Sequence, residues 1–266
     1  HRSFLGPTYY EVASSHTRLS RNWNRMDLVV RKHIILVLIL IGLSLVGCKK
    51  DENEIIEQHS LNAFHTLDLN DAFEVELLEQ NEFAIEIQGA ESFVKAVDFK
   101  IQDSVLSISS NKKLKWTSPG DNQIKIIVKG MGLKLVNANE SYIINSLNPI
   151  TTREFGIILK SKANTANIQV DNDVCYYWNN FPCGGKLTLS GRCRELKLWN
   201  TAIMSVDASG LQCEYALVEN DSKGDCSINV SNRLDYKIAG EGNIILFGNA
   251  LAIDQGSSNS GRLIRR

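Results

Sequence analysis

Four short segments of this chain align at a nearly constant spacing. They are Cys175-Tyr176-Tyr177-Trp178-Asn179, Leu196-Lys197-Leu198-Trp199-Asn200, Ala216-Leu217-Val218-Glu219-Asn220 and Tyr236-Lys237-Ile238-Ala239-Gly240, stepping by 21, 20 and 20 residues. A second series, Val170, Leu189, Ala208 and Ile228, steps by 19, 19 and 20. A fixed period near twenty with short strands inside it is the signature of stacked coils. A sandwich of antiparallel strands imposes no such offset. A single coil cannot bury its apolar face, whereas a neighbour ~4.8 Å away can. The expected fold class is therefore all-β, a parallel (right-handed) β-helix or solenoid with coils of about twenty residues.

Alternation supports the same reading outside the repeat. Phe73-Glu74-Val75-Glu76-Leu77, Phe83-Ala84-Ile85-Glu86-Ile87, Val105-Leu106-Ser107-Ile108 and Ile124-Lys125-Ile126-Ile127-Val128 each read as a half-buried strand. Only Glu91 to Val97 reads as a helical turn. Asn179, Asn200, Asn220 and then Gly240 occupy one turn position. Stacked asparagines there can ladder their amides, and Asn and Gly both tolerate left-handed backbone.

The N-terminal part reads as an address. Residues 1–25 precede Met26, show no clear apolar period, and are read as upstream sequence or an artefact of the assigned start. From Met26 a basic stretch, Arg31-Lys32-His33, leads into the apolar run Ile34 to Val46. Thirteen residues span ~20 Å as a helix, too short for a ~30 Å hydrocarbon core, which is the layout of a signal peptide. Leu45-Val46-Gly47-Cys48 resembles a bacterial lipobox, so residues 26–48 are expected to be a lipoprotein signal and Cys48 to be lipidated. Acyl chains at ~0.8 kcal/mol per buried CH₂ would then supply the membrane attachment. The following Lys49-Lys50-Asp51-Glu52-Asn53-Glu54 resembles the export signals of surface lipoproteins of the Bacteroidetes type, and 49–63 also suits a polar tether. Beyond residue 48 the chain carries 23 basic and 28 acidic residues. That balance repels anionic membrane surfaces and leaves attachment to the lipid. The expected location is the cell envelope, as an outer-membrane lipoprotein facing either the periplasm or the outside.

Phe64 to Leu69, Ala72 to Leu77 and Phe83 to Gly89 form an opening pattern. Asp103 to Ile108 extends it, the Ser190-Gly191 and Ser209-Gly210 corners continue it, and Ala239 to Gly248 closes it. Together these resemble the head GIN domain family of putative auto-transporter adhesins over roughly 64–250. The resemblance implies a β-helical, lipoprotein-linked domain with an adhesive role and carries over no active-site residue. Residues 251–266, with Gln255-Gly256-Ser257-Ser258-Asn259-Ser260, are expected to be a flexible tail.

Residue chemistry narrows the function. The histidines are His1, His16, His33, His59 and His65, so serine-type triads, HExxH sites and His-rich zinc sites cannot form in the later coils. Lys+Arg (29) nearly balance Asp+Glu (30), which argues against a nucleic-acid footprint. No cofactor and no metal are expected. Asp171, Asp173, Asp207, Asp225 and Asp235 are the acids a polysaccharide-cleaving β-helix would use, through a pair ~5–9.5 Å apart. Asp171-Asn172-Asp173 could hold calcium or such a pair, but its spacing fits a plain turn better.

Besides Cys48 there are Cys175, Cys183, Cys193, Cys213 and Cys226. Cys193 and Cys213 lie one coil apart, so they are candidates for a disulfide or for an inward stack of inert thiols. Strand alternation puts Cys175 and Tyr177 inward and Tyr176 and Trp178 outward. Trp178 and Trp199 then point outward on adjacent coils with Tyr176 beside them. Such a platform suits a sugar ring, a partner protein, another copy of the chain, or the loop Asn179–Gly185 folded over it. The expected function is non-catalytic binding or adhesion at the cell envelope, to a glycan or a surface protein. A structural or signalling envelope protein is the alternative, and a small polysaccharide-active enzyme the less favoured one.

Overall fold

Alternating apolar residues become strands wherever the sequence shows them. The computed structural model describes residues 53–112, 124–140 and 142–266, so the signal segment and the lipidation expectation at Cys48 lie outside the described residues. In chain order the elements are β1 (Glu54–Ser60), β2 (Thr66–Leu69), β3 (Glu74–Glu79), β4 (Ala84–Ala90) and the four-residue helix α1 (Glu91–Val94). Then come β5 (Val97–Gln102), β6 (Val105–Ser110), β7 (Lys125–Gly130), β8 (Leu135–Ala138) and β9 (Tyr142–Ser146). The later coils are β10 (Glu154–Leu159), β11 (Asn164–Trp178), β12 (Gly184–Ser222) and β13 (Cys226–Ile238). The last strands are β14 (Ile244–Phe247), β15 (Leu251–Asp254) and β16 (Leu263–Arg265).

The architecture is a parallel β-solenoid of about six turns. Stacked registers show the step directly: Phe155 pairs with Cys175, and Cys175 with Leu196. Inward residues of successive rungs make continuous columns. One runs Leu106, Leu67, Val136, Ile157, Tyr177, Leu198. Another runs Ile126, Val75, Ile144, Ala166, Leu187. Every member of both is fully buried. Apolar area removed from water at ~25 cal/mol per Å² is therefore gained rung by rung, each coil covering the next.

The order of coils differs from the order of sequence. β2 and β3 stack on β8 and β9 on one side and on β6 and β7 on the other. The chain therefore leaves the first rung, builds the outermost rung with β6 and β7, and passes back to the far side. Antiparallel strands close that end, with β1 on β4, β4 on β7, and β5 on β6. Short antiparallel cover of this kind protects a parallel edge from pairing with other chains.

At one corner the asparagine ladder forms. Asn200 and Asn220 are buried, and the Asn200 amide donates to Asn220 Oδ1 at 2.9 Å and to the Met204 carbonyl at 2.9 Å. Asn220 donates to the carbonyls of Gly224 (3.1 Å) and Gly242 (3.0 Å). Asn179 turns its amide to the Tyr177 hydroxyl instead, at 3.2 Å, and accepts the Phe181 N–H at 2.7 Å. Gly240 ends the series with its N–H on the Asn220 carbonyl. A β-carbon at Gly240 would lie 2.2 Å from the Ser222 carbonyl oxygen.

Three expectations are corrected. Ala216 pairs with Leu234, not Tyr236, and Val170 pairs with Gly191, while Leu189 pairs with Ile168. Both slips are of two residues, which keep every side chain on its face, so alternation alone cannot detect them. The first slip is produced at irregularities between Ala208 and Gln212 and between Cys213 and Tyr215. Residues 251–266 are not a flexible tail: β15 pairs with β13, β16 pairs with β14, and the Ser257 hydroxyl accepts the Ile238 N–H at 3.0 Å. The tether expected over 49–63 is strand β1 from Glu54 onward, because Ile55 has apolar neighbours to pack against.

Candidate functional site

The outward surface of one solenoid wall carries the aromatic residues. Its rungs are supplied by β10, the end of β11, two stretches of β12, then β13 and β15. Register places Val174 beside Glu195, Tyr176 beside Lys197, and Trp178 beside Trp199. The contacts Cys193 to Cys213 and Asn200 to Asn220 bracket the next rung at a twenty-residue step. They put Tyr215 and Leu217 on the same wall. Arg233, Asp235 and Lys237 follow beside Tyr215, Leu217 and Glu219, and then Leu251 and Ile253.

Trp178 and Trp199 therefore sit on adjacent rungs of one face. Trp178 is 37% exposed, Trp199 is half-buried, and Tyr215 and Leu217 are 41% and 38% exposed. Phe181, from the loop after β11, meets the Trp178 ring edge to face at 6.1 Å, and the Lys160 ammonium lies 5.2 Å from the Phe181 ring. The loop thus braces one edge of Trp178 and leaves the indole accessible. Tyr176 lies down rather than standing beside the tryptophans. Its ring covers Gly156 on the neighbouring rung so closely that a β-carbon there would fall 2.0 Å from Cζ. Burial, reinforced by Glu154, pushes the Tyr176 phenol above its ordinary pKa.

Paired charges lie among the aromatic residues of the wall. Lys197 pairs with Glu195 at 3.4 Å, and Lys237 with Glu219 at 3.0 Å. Arg233 donates both Nε and Nη2 to Asp235, at 2.7 and 2.8 Å, and this holds the Asp235 carboxyl below its ordinary pKa. Paired charges stand on the same rung as Trp199 and beside Leu217, so the wall interleaves apolar and charged side chains. It can stack against the apolar face of a ring while polar groups beside it meet hydroxyls or amides. Tyr215 and Leu217 were not singled out in the sequence, although Ala216 and Val218 between and beside them mark the alternation.

The acidic candidates are all engaged. Asp171 accepts from Arg192 at 2.6 Å, Asp173 from Arg153 at 3.2 Å, and Asp225 from the Asn243 N–H at 2.7 Å. Asp207 accepts from the Ser209 hydroxyl at 2.7 Å with Lys186 at 3.4 Å, and these partners lower its pKa. A glycosidase general acid needs the opposite shift. Among the described residues no group of three or more His, Cys, Asp or Glu could hold a metal ion. No helix among them is long and apolar enough to cross a membrane.

Cys193 and Cys213 stack on neighbouring rungs with their sulfurs 3.1 Å apart, both as thiols. Burial pushes the Cys226 thiol up to about 12 and holds Cys175 higher still. Cys175, Cys183 and Cys226 are sealed in the core.

A family model described as "Putative auto-transporter adhesin, head GIN domain" matches residues 63–250. No curated protein matches the chain. Among solved structures, a putative adhesin from Bacteroides fragilis is similar with a TM-score of 0.70 at 16% identity, covering 83% of this chain and all of that one. A putative adhesin from Parabacteroides merdae is similar at 0.58 and 20% identity, covering 82% and 97%. A putative lipid binding protein from Parabacteroides distasonis is similar at 0.56 and 13% identity, covering 81% and 98%. At these identities the solved structures show a shared solenoid fold.

Proposed function

Since the chain belongs to the head GIN domain family, we propose that it is a cell-envelope binding module, attached through lipid on Cys48, that engages a glycan or surface protein through its aromatic wall. The observation that carries the reading is the pairing of Trp178 with Trp199 on one exposed face. Indoles held side by side on a rigid sheet lose little entropy on binding, because the sheet fixes their positions beforehand. The solenoid supplies a long flat wall rather than a deep pocket, which suits an extended or surface-borne ligand. The family description supports the envelope setting, and the lipobox-like Leu45 to Cys48 supports the anchor.

The test uses the full-length chain in detergent on arrays of glycans and of matrix proteins, beside the double variant Trp178→Ala/Trp199→Ala. Binding by the parent and its loss in a folded double variant support the proposal. Binding that survives the double change assigns the tryptophans a structural role. Absence of binding by the parent on both arrays counts against adhesion and favours a dedicated protein partner in the envelope. For the anchor, metabolic labelling with an alkyne fatty acid is expected to tag the chain and to fail for Cys48→Ser.

A further inference from the structure

We propose that Cys193 and Cys213 form a reversible disulfide site that clamps two successive coils. Three independent features place the site. The two sulfurs stand 3.1 Å apart, so about 1 Å of approach reaches the ~2.05 Å of an S–S bond. Both thiols line an open cleft of about 570 Å³ at a corner of the solenoid, together with Asn172, Arg194, Gln212 and Glu214. They retain 6% and 4% exposure, against 0% for Cys175 and Cys226 and 1% for Cys183. The backbone beside Cys213 is also irregular, with register shifts on both sides of it. These shifts lie in its pairing with β13, where the regular ladder is interrupted beside Cys213.

The chemistry is thiol–disulfide exchange with a small or enzymic disulfide as oxidant. One cysteine, as thiolate, attacks a sulfur of the oxidant RSSR, forming a mixed disulfide and releasing one RS⁻. The second thiolate attacks the protein sulfur of that mixed disulfide and expels the second RS⁻. The protein pair loses two electrons, RSSR gains them, and the two protons from the cysteines end on two RSH. The hydrogen bond with the Cys193 sulfur, together with burial, holds Cys213 in its protonated form, so the exchange accelerates as pH rises. An oxidising envelope compartment is where such oxidants act. The clamp is independent of the binding role of the aromatic wall.

The test treats the folded full-length chain, purified under reducing conditions, with oxidised glutathione. The products are then denatured, alkylated and mapped by mass spectrometry. The expected product joins the Cys193 and Cys213 peptides, two hydrogens lighter, and dithiothreitol reverses it while Cys175, Cys183 and Cys226 stay alkylatable. The proposal is overturned if Cys193 and Cys213 remain alkylatable, carry glutathione without cross-linking, or join other cysteines. Oxidation in urea serves as the scrambled control, so selectivity is read against the unfolded chain.

Discussion

Replacing Gly156 by alanine sets a β-carbon 2.0, 2.2 and 2.6 Å from three atoms of the Tyr176 ring. Ordinary contact begins near 3.4 Å, so the ring must move by more than 1 Å. The ring is the far end of a side chain and can lift, but lifting uncovers the surface it now hides. A tyrosine buries roughly 150–250 Å² when enclosed. Losing about half of that, at ~25 cal/mol per Å², costs roughly 2–3 kcal/mol. Alanine returns about 0.5–1 kcal/mol, because glycine is costly within a strand. The expected net loss is about 1–2 kcal/mol, or a fall in Tm of roughly 3–6 °C for a domain of this size. In a Tyr176→Ala background the same substitution meets no ring and is neutral or slightly stabilising. The assay is a double-mutant cycle on the full-length chain by thermal and urea unfolding. Equal cost of Gly156→Ala in both backgrounds would refute the argument and place the strain in the backbone.

Other outcomes follow from the same geometry. Asn200→Ala removes the donor to Asn220 Oδ1 and is expected to cost about 1–3 kcal/mol, read from the urea midpoint, because a buried acceptor loses its partner. Gly242→Ala places a β-carbon 2.0 Å from the Gly224 carbonyl oxygen, a backbone atom that cannot step aside, and circular dichroism should show a larger loss than for Gly156→Ala. Lys129 and Gln88 hydrogen-bond Glu86 and hold its carboxyl below the ordinary 4.5. Its contribution is therefore complete above that pH and is lost as pH falls through the lower folded value. Glu86→Gln should cost about 0.5–1 kcal/mol at neutral pH, and the difference from the parent should vanish in acid melts. Deleting residues 255–266 removes β16 and the Ser257 contact, so Tm should fall, whereas a free tail would leave it unchanged.

Much of the fold was legible because its two periods are local. Alternation marked β3, β4, β6 and β7, and the spacing of Asn179, Asn200 and Asn220 marked one corner of the solenoid. The pairing of Trp178 with Trp199 followed from that spacing and strand parity alone. What escaped depends on neighbours far along the chain. A two-residue slip leaves every face unchanged, so nothing in the pattern tells Leu234 from Tyr236 as the partner of Ala216. The stacking of β6 and β7 outside β2 and β3 is set by which rung covers which, and no short segment records that. Tyr176 reads as a standing ring until Gly156, twenty residues earlier, is seen beneath it. The tail misled because its Gly and Ser residues look like a linker, while the hydrogen bonds that order it come from the preceding coil.

The wall bearing Trp178 and Trp199 is proposed as the binding surface. Surface-immobilised full-length chain should be titrated with the ligand found on the arrays, comparing the parent, Trp178→Ala/Trp199→Ala, and Ile143→Ala, an exposed residue on a different strand. At least a tenfold rise in Kd is expected for the tryptophan pair, about 1.4 kcal/mol, with Tm and the Ile143→Ala affinity unchanged. An unchanged Kd for the tryptophan pair, or an equal loss in Ile143→Ala, would contradict it.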